Sequence, residues 1–203
     1  GVLHAPFARS LLMRAGGCPM GGVRMTAAEM EAGRHRAAQI ERGGTPAPAR
    51  PALGFVLDKT TVADVRGWAK SHRISCEEPH PGLVVCSHVP AAFLGLSSAE
   101  APVDDLALGF NQRDVLVNAT TFRSRLTPDA AATAARQIAS GLSSALGPAE
   151  TTAGAFEAAH IAQEPAASVA VVSYRYSDYI ASVSAMNMPG GATLREQYMS
   201  AND

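Results

Sequence analysis

Residues 55–86, FVLDKTTVADVRGWAKSHRISCEEPHPGLVVC, hold an apolar triplet, a capped amphipathic helix and two cysteines around a Pro-rich turn. Phe55-Val56-Leu57 reads as a short strand, and Asp58-Lys59-Thr60 as the turn that follows it. Thr61 is a good N-cap, with Asp64 three residues on to face the unpaired N–H groups of a first helical turn. The spacing of Val62, Val65 and Ala69 predicts a helix from Val62 to about His72 that buries one side. Trp68, the only tryptophan, stands beside that face as a core or rim anchor. Cys76 and Cys86 enclose Glu77-Glu78-Pro79-His80-Pro81-Gly82 and the apolar run Leu83-Val84-Val85, a turn leading into a strand. On paired strands the two cysteines would form a disulfide, which requires an oxidising compartment. The competing reading takes Cys76, His80, Cys86 and His88 as metal ligands. Zinc sites usually present tighter cysteine pairs on a knuckle, so the disulfide is preferred and no metal is expected.

Working outward, the 203 residues allow one domain with a full core plus an extension. Apolar residues make up 47% but aromatics only 5%, so the core must be built mainly from Ala, Val and Leu. A net charge of -1 supplies no field to draw a polyanion, which argues against nucleic acid as a partner. No apolar run reaches the length of a membrane span.

Residues 1–51 read as an N-terminal arm. GVLHAPFARSLLMRAGG, residues 1–17, places Arg9 and Arg14 around a short apolar patch, as in the remains of an export signal. Cys18 follows small residues and precedes a Gly-rich tether, an order that resembles the cleavage box of bacterial lipoproteins. Lipidation of Cys18 would hold the protein on a membrane surface without spanning it; an incidental thiol is the alternative. Thr26 and Glu29 form a capping-box signature, and a helix through about Arg42 is expected. Its apolar stripe of Met30, Ala37 and Ile40 is thin, as in a surface helix or docking arm. Residues 43–51, GGTPAPARP, break all periodicity and read as a linker, so the compact domain is expected at 52–203.

Further along, residues 106–110 and 115–122 flank the polar loop Asn111-Gln112-Arg113-Asp114, a β-hairpin signature. The clearest helix then opens with Thr127 as N-cap and Pro128 in its first turn, and stops at Gly147-Pro148. Its apolar face is Ala131, Ala135, Ile138, Leu142 and Leu146. Three strands joined by short turns, near 168–176, 179–188 and 193–199, predict an antiparallel meander. The fold class is therefore α+β, helices packed on an antiparallel sheet, in two loosely similar helix-plus-strands units.

The run Leu57-Asp58-Lys59-Thr60-Thr61-Val62-Ala63-Asp64-Val65, with the later Leu146-Gly147-Pro148 before a meander, resembles the small outer-membrane assembly lipoproteins and the similarly folded β-lactamase inhibitor proteins. Asp58 stands where that pattern has glycine. The resemblance implies a protein-binding or scaffold role in the cell envelope, without catalysis.

The search for chemistry returns little. There is no G-x-S-x-G elbow, P-loop, dinucleotide fingerprint, HExxH or calcium loop, and no catalytic residue or cofactor is expected. Tyr174, Tyr176, Tyr179 and Tyr198 with Arg175 and Arg195 have the composition favoured at protein interfaces, with plain packing as the alternative. The expectation is an exported protein of the periplasm or outer-membrane surface, tethered by lipid, that serves as accessory subunit to another envelope protein. A secreted enzyme with a site on the sheet face is the alternative.

Overall fold

The computed structural model describes residues 26–96 and 103–202. Cys18 and the segment before it lie outside the described residues. An eight-stranded, wholly antiparallel sheet carries the fold, in spatial order β1-β2-β3-β4-β8-β7-β6-β5. Helix α1 (Ala27–Glu41) comes first, then α2 (Val62–His72), β1 (Cys76–His80) and β2 (Leu83–Val89). After a 3₁₀ turn at Ala91–Leu94 come β3 (Val103–Phe110), β4 (Leu116–Leu126) and α3 (Pro128–Leu146). The chain ends with β5 (Thr151–Ala153), the single turn α4 (Ala158–Ile161), β6 (Ala170–Arg175), β7 (Tyr179–Met188) and β8 (Gly191–Ser200).

Local chemistry sets the helix boundaries. Thr61 and Asp64 close a full capping box on α2, and the contact with Thr61 holds the Asp64 carboxyl below its usual range. Thr127 caps α3, which buries Ala131, Ala135, Ile138, Leu142 and Leu146 as the periodicity predicts, with Ala132 added. The small Ala side chains let the helix lie close to the sheet. Val62 and Val65 of α2 enter the same core as α3 and the inward residues of β2, β3, β4, β6, β7 and β8, and Ala69 is buried on the same helix. Helices α2 and α3 thus cover one face of the sheet.

The cysteines sit directly opposite each other in the β1–β2 ladder, Cα to Cα 4.0 Å, and are joined as a disulfide. This answers the metal alternative, because both thiolates that a metal would need are consumed. Pro79 lies on β1, an edge strand, where a missing N–H costs no ladder bond.

Two expectations change. Phe55-Val56-Leu57 is not a strand: it is a looped entry to α2, with Asp58 at φ +64 and its N–H donated to the Leu116 carbonyl. Leu53 and Leu57 are buried while Val56 is exposed, so the apolar triplet anchors a turn and does not join the sheet. On α1, Ala38 is the buried residue and Ile40 is 83% exposed; Ala37 is exposed too. Ala37 and Ile40 of the predicted stripe are therefore not on the docked side.

Candidate functional site

Residues paired across neighbouring strands share a face, and successive residues alternate. On the face away from α2 and α3, one row across the sheet runs Asp105, Phe122, Arg195 and Ser184. The next runs Ala107, Thr120, Gln197 and Ser182. Small hydroxyls, amides and one arginine, with Phe122 among them, make this face largely polar, although Thr120 itself is buried. Its side chains are linked: Arg195 donates to Gln197 Oε1 at 2.5 Å, and Gln197 donates to Asn118 Oδ1 at 3.2 Å.

Helix α1 crosses one end of this open face. Ala38 packs with Ile180, Met199 and Ala201 in a small cluster separate from the main core, and Arg34 Nη1 donates to the Ser200 carbonyl at 3.1 Å. The segment read as a linker is a strap. Gly43 N–H bonds the Tyr176 carbonyl, Ser177 N–H bonds the Thr45 carbonyl, and Ala47 N–H donates to Asp178 Oδ1. Gly43 approaches so closely that a Cβ there would lie 2.2 Å from the Arg175 carbonyl oxygen. Arg50 reaches Asp58 at 2.6 Å, where Ser200 and Asn202 also donate. Burial would raise the Asp58 carboxyl, but the hydrogen bonds from Arg50, Ser200 and Asn202 outweigh it and hold it below its usual range.

Between the first half of α1 and the sheet lies a cleft of about 510 Å³. Glu31 and Arg34 form its roof, Asn118, Gln197 and Met199 its floor, and the β1–β2 and β3–β4 loops its mouth. Glu31 accepts from the Gln112 N–H at 3.3 Å and so ties the roof to the β3–β4 loop. Burial lowers the Arg34 guanidinium from its ordinary value, although Glu31 and Asp58 favour its charge.

The six residues expected as an interface divide between the two faces. Tyr174, Tyr179 and Tyr198 point to the helix-covered side and are buried. Tyr174 donates to the Ala139 carbonyl of α3 at 3.1 Å, and Tyr179 to the Pro51 carbonyl of the strap at 2.6 Å. Half-buried Tyr176 donates to the Leu146 carbonyl at the end of α3. These tyrosines tie sheet to helix and strap, so the first three are removed from any accessible interface. Arg175 and Arg195 belong to the opposite face.

Glu196 is the inward residue that composition hides. It is buried, accepts from Tyr198 Oη and from Thr121 Oγ1, and shares its face with buried Arg123. Burial first and the Glu196 charge second push the Tyr198 hydroxyl far above its normal range. The signal was present as parity: Leu194, Glu196 and Tyr198 alternate with exposed Arg195 and half-buried Gln197.

Among the described residues no helix is long and apolar enough to cross a membrane, and no group of three His, Cys, Asp or Glu could hold a metal ion. Comparison with protein-family models and with curated proteins finds no significant match. Among solved structures, a DUF4309 family protein (YjgB) from Bacillus subtilis is similar at 12% identity, over 85% of this chain and 97% of that one, with a TM-score of 0.31. A likeness at that level carries no argument about fold or function.

Proposed function

We propose that the protein is an exported, lipid-anchored envelope protein that binds another protein through the sheet face left open by α2 and α3, as accessory subunit of a larger complex. The open face carries this reading. An antiparallel sheet needs only one covered face for its core, and here the second face is a broad, hydrogen-bonded surface of hydroxyls and amides with Phe122 and Arg195 within it. Polar surfaces with an embedded aromatic and an arginine suit wet protein interfaces. The disulfide supports export, since such bonds persist in oxidising compartments. Lipidation of Cys18 remains part of the proposal on sequence grounds.

The chain order supports two similar units: α2 precedes β1–β4, α3 precedes β5–β8, and the last strand of each, β4 and β8, meet at the centre. That arrangement favours the resemblance to outer-membrane assembly lipoproteins and β-lactamase inhibitor proteins. Asp58, in place of glycine, adopts φ +64, a conformation glycine takes without strain and aspartate tolerates.

A photo-crosslinker at Phe122 or Ser184 in cells tests the reading, with Ser143 on the outer side of α3 as comparison. Adducts with one protein from the sheet positions, absent from Ser143, are expected. Adducts from Ser143 alone would put the binding surface on the helices and defeat the proposal.

A further inference from the structure

We infer that α1 is an autoinhibitory lid: it covers the apolar row of the open sheet face and swings off about the Arg42–Gly43 junction when the partner binds. The inference rests on the open-face reading and adds a regulatory contact to it. Beyond the two polar rows, the same face continues with Asn118, Met199, Ile180 and Arg175, paired in turn across β4, β8, β7 and β6. Met199 and Ile180 are buried, and they pack with Ala38 of α1 in a cluster apart from the main core. Protein interfaces place apolar residues at the centre and polar ones at the rim. The part of this face best suited to be an interface centre is thus the part that the chain's own helix occupies.

Helix α1 is also held unevenly. At its C-terminal end the strap takes over directly, with the Gly43 N–H bonded to the Tyr176 carbonyl and the Ala47 N–H to Asp178. Its N-terminal half stands off the sheet over a cleft of about 510 Å³, space that a close-packed contact does not leave. Contacts there include the Arg34 bond to the Ser200 carbonyl and a bond from the Gln112 N–H to Glu31 that, at 3.3 Å, is long for its kind. Fifteen residues with Gly33 near the middle make a helix that is marginal once it leaves its seat. A Cβ at Gly33 would meet nothing within 4 Å, so packing does not require the glycine. A strap that stays attached and a helix that melts when lifted make a lid, and its removal uncovers Met199 and Ile180.

The test reads partner capture in cells with the photo-crosslinker at Phe122, which lies outside the row that α1 covers. Ala38→Lys puts a charge into the apolar cluster and should lift α1, raising the adduct yield at least about threefold at equal protein level as the competent fraction grows. Ala38 is not part of the main core, so the Tm should hold. Gly33→Ala strengthens the helix and should lower the yield, by up to about fivefold. Hydrogen exchange of the unmodified protein needs no partner: the amides of residues 31–41 should exchange at least about a hundredfold faster than those of β8. Exchange in α1 as slow as in β8, or an adduct yield that falls or stays level in Ala38→Lys while Gly33→Ala changes nothing, overturns the inference and leaves the open-face reading in place. Phe122 adducts absent from every variant would remove the open-face reading, and this one with it.

Discussion

Reducing the Cys76–Cys86 bond is expected to lower the stability of the whole domain, not only of the hairpin that carries it. The cysteines are ten residues apart. With a loop of that length the chain-entropy relation gives a loss of about 9 cal/mol/K from the unfolded state, or about 2.7 kcal/mol at 25 °C. The full amount reaches the global transition only if β1 and β2 unfold with the rest. The packing says that they do: Cys86 is fully buried and shares one core with Val65 of α2, Leu106 of β3 and Ala135 of α3. For a domain of this size, 2.7 kcal/mol corresponds to a fall in Tm of roughly 5–11 °C. Calorimetry of the oxidised protein beside the same protein reduced and alkylated at Cys76 alone measures it, since Cys76 is the more exposed partner. A Tm unchanged to within about a degree, together with hydrogen exchange that rises only in β1 and β2, would show the hairpin to be a separate cooperative unit and refute the reasoning.

Three further outcomes follow from the strap and the tyrosines. Gly43→Ala should free α1 from the sheet, because its Cβ would meet the Arg175 carbonyl at 2.2 Å. Overpacking of that kind costs about 1–3 kcal/mol, so trypsin should cut after Arg42 at least about fivefold faster while the Tm of the core moves little. Asp58 has a lowered folded pKa, so its contribution to stability is present above the unfolded value near 3.9 and is lost as pH falls through the folded value. Hydrogen exchange of residues 43–51 should therefore rise below about pH 4 in the native protein, and Asp58→Asn should remove that pH dependence while tolerating φ +64. Tyr174→Phe should cost about 0.5–1.5 kcal/mol in urea unfolding, the worth of its bond to the Ala139 carbonyl, and leave partner cross-linking from Phe122 intact.

What could be read from the sequence was decided within a few residues. The caps at Thr61 and Thr127 bond to their own third residues, so short-range chemistry marked both helices. The disulfide was legible because Pro81-Gly82 reverses the chain between two segments of matching length; Gly82 at φ +80 completes the turn. The strap was not legible. Its holding groups are backbone N–H and C=O of Gly43, Thr45 and Ala47 meeting Tyr176, Ser177 and Asp178 more than 100 positions on, and a Gly/Pro-rich run shows none of that in its pattern. The short strand β5 was missed for a related reason: its three residues are all exposed and carry no alternation.

The tyrosines show a different limit, and it bears on where function lies. Alternation in β6, β7 and β8 says that Tyr174, Tyr179 and Tyr198 share a face, but a strand read alone does not say which face the helices will take. Composition favours tyrosine at interfaces, and that preference pointed outward. The outcome is set by the connections: α3, leaving β4 at Leu126, lies across the side on which Ala181, Leu194 and Tyr198 point. Once that side is covered, the hydroxyls need partners, and they find the carbonyls of Ala139 and Pro51. The opposite side then inherits Phe122, Arg195, Gln197 and the serines of β7, and α1, pinned by its strap, closes only one end of it. The face left open is thus the remainder from core packing, which is why, Phe122 and Arg195 apart, the side chains proposed to bind are amides and hydroxyls that carried no signal of their own in the sequence.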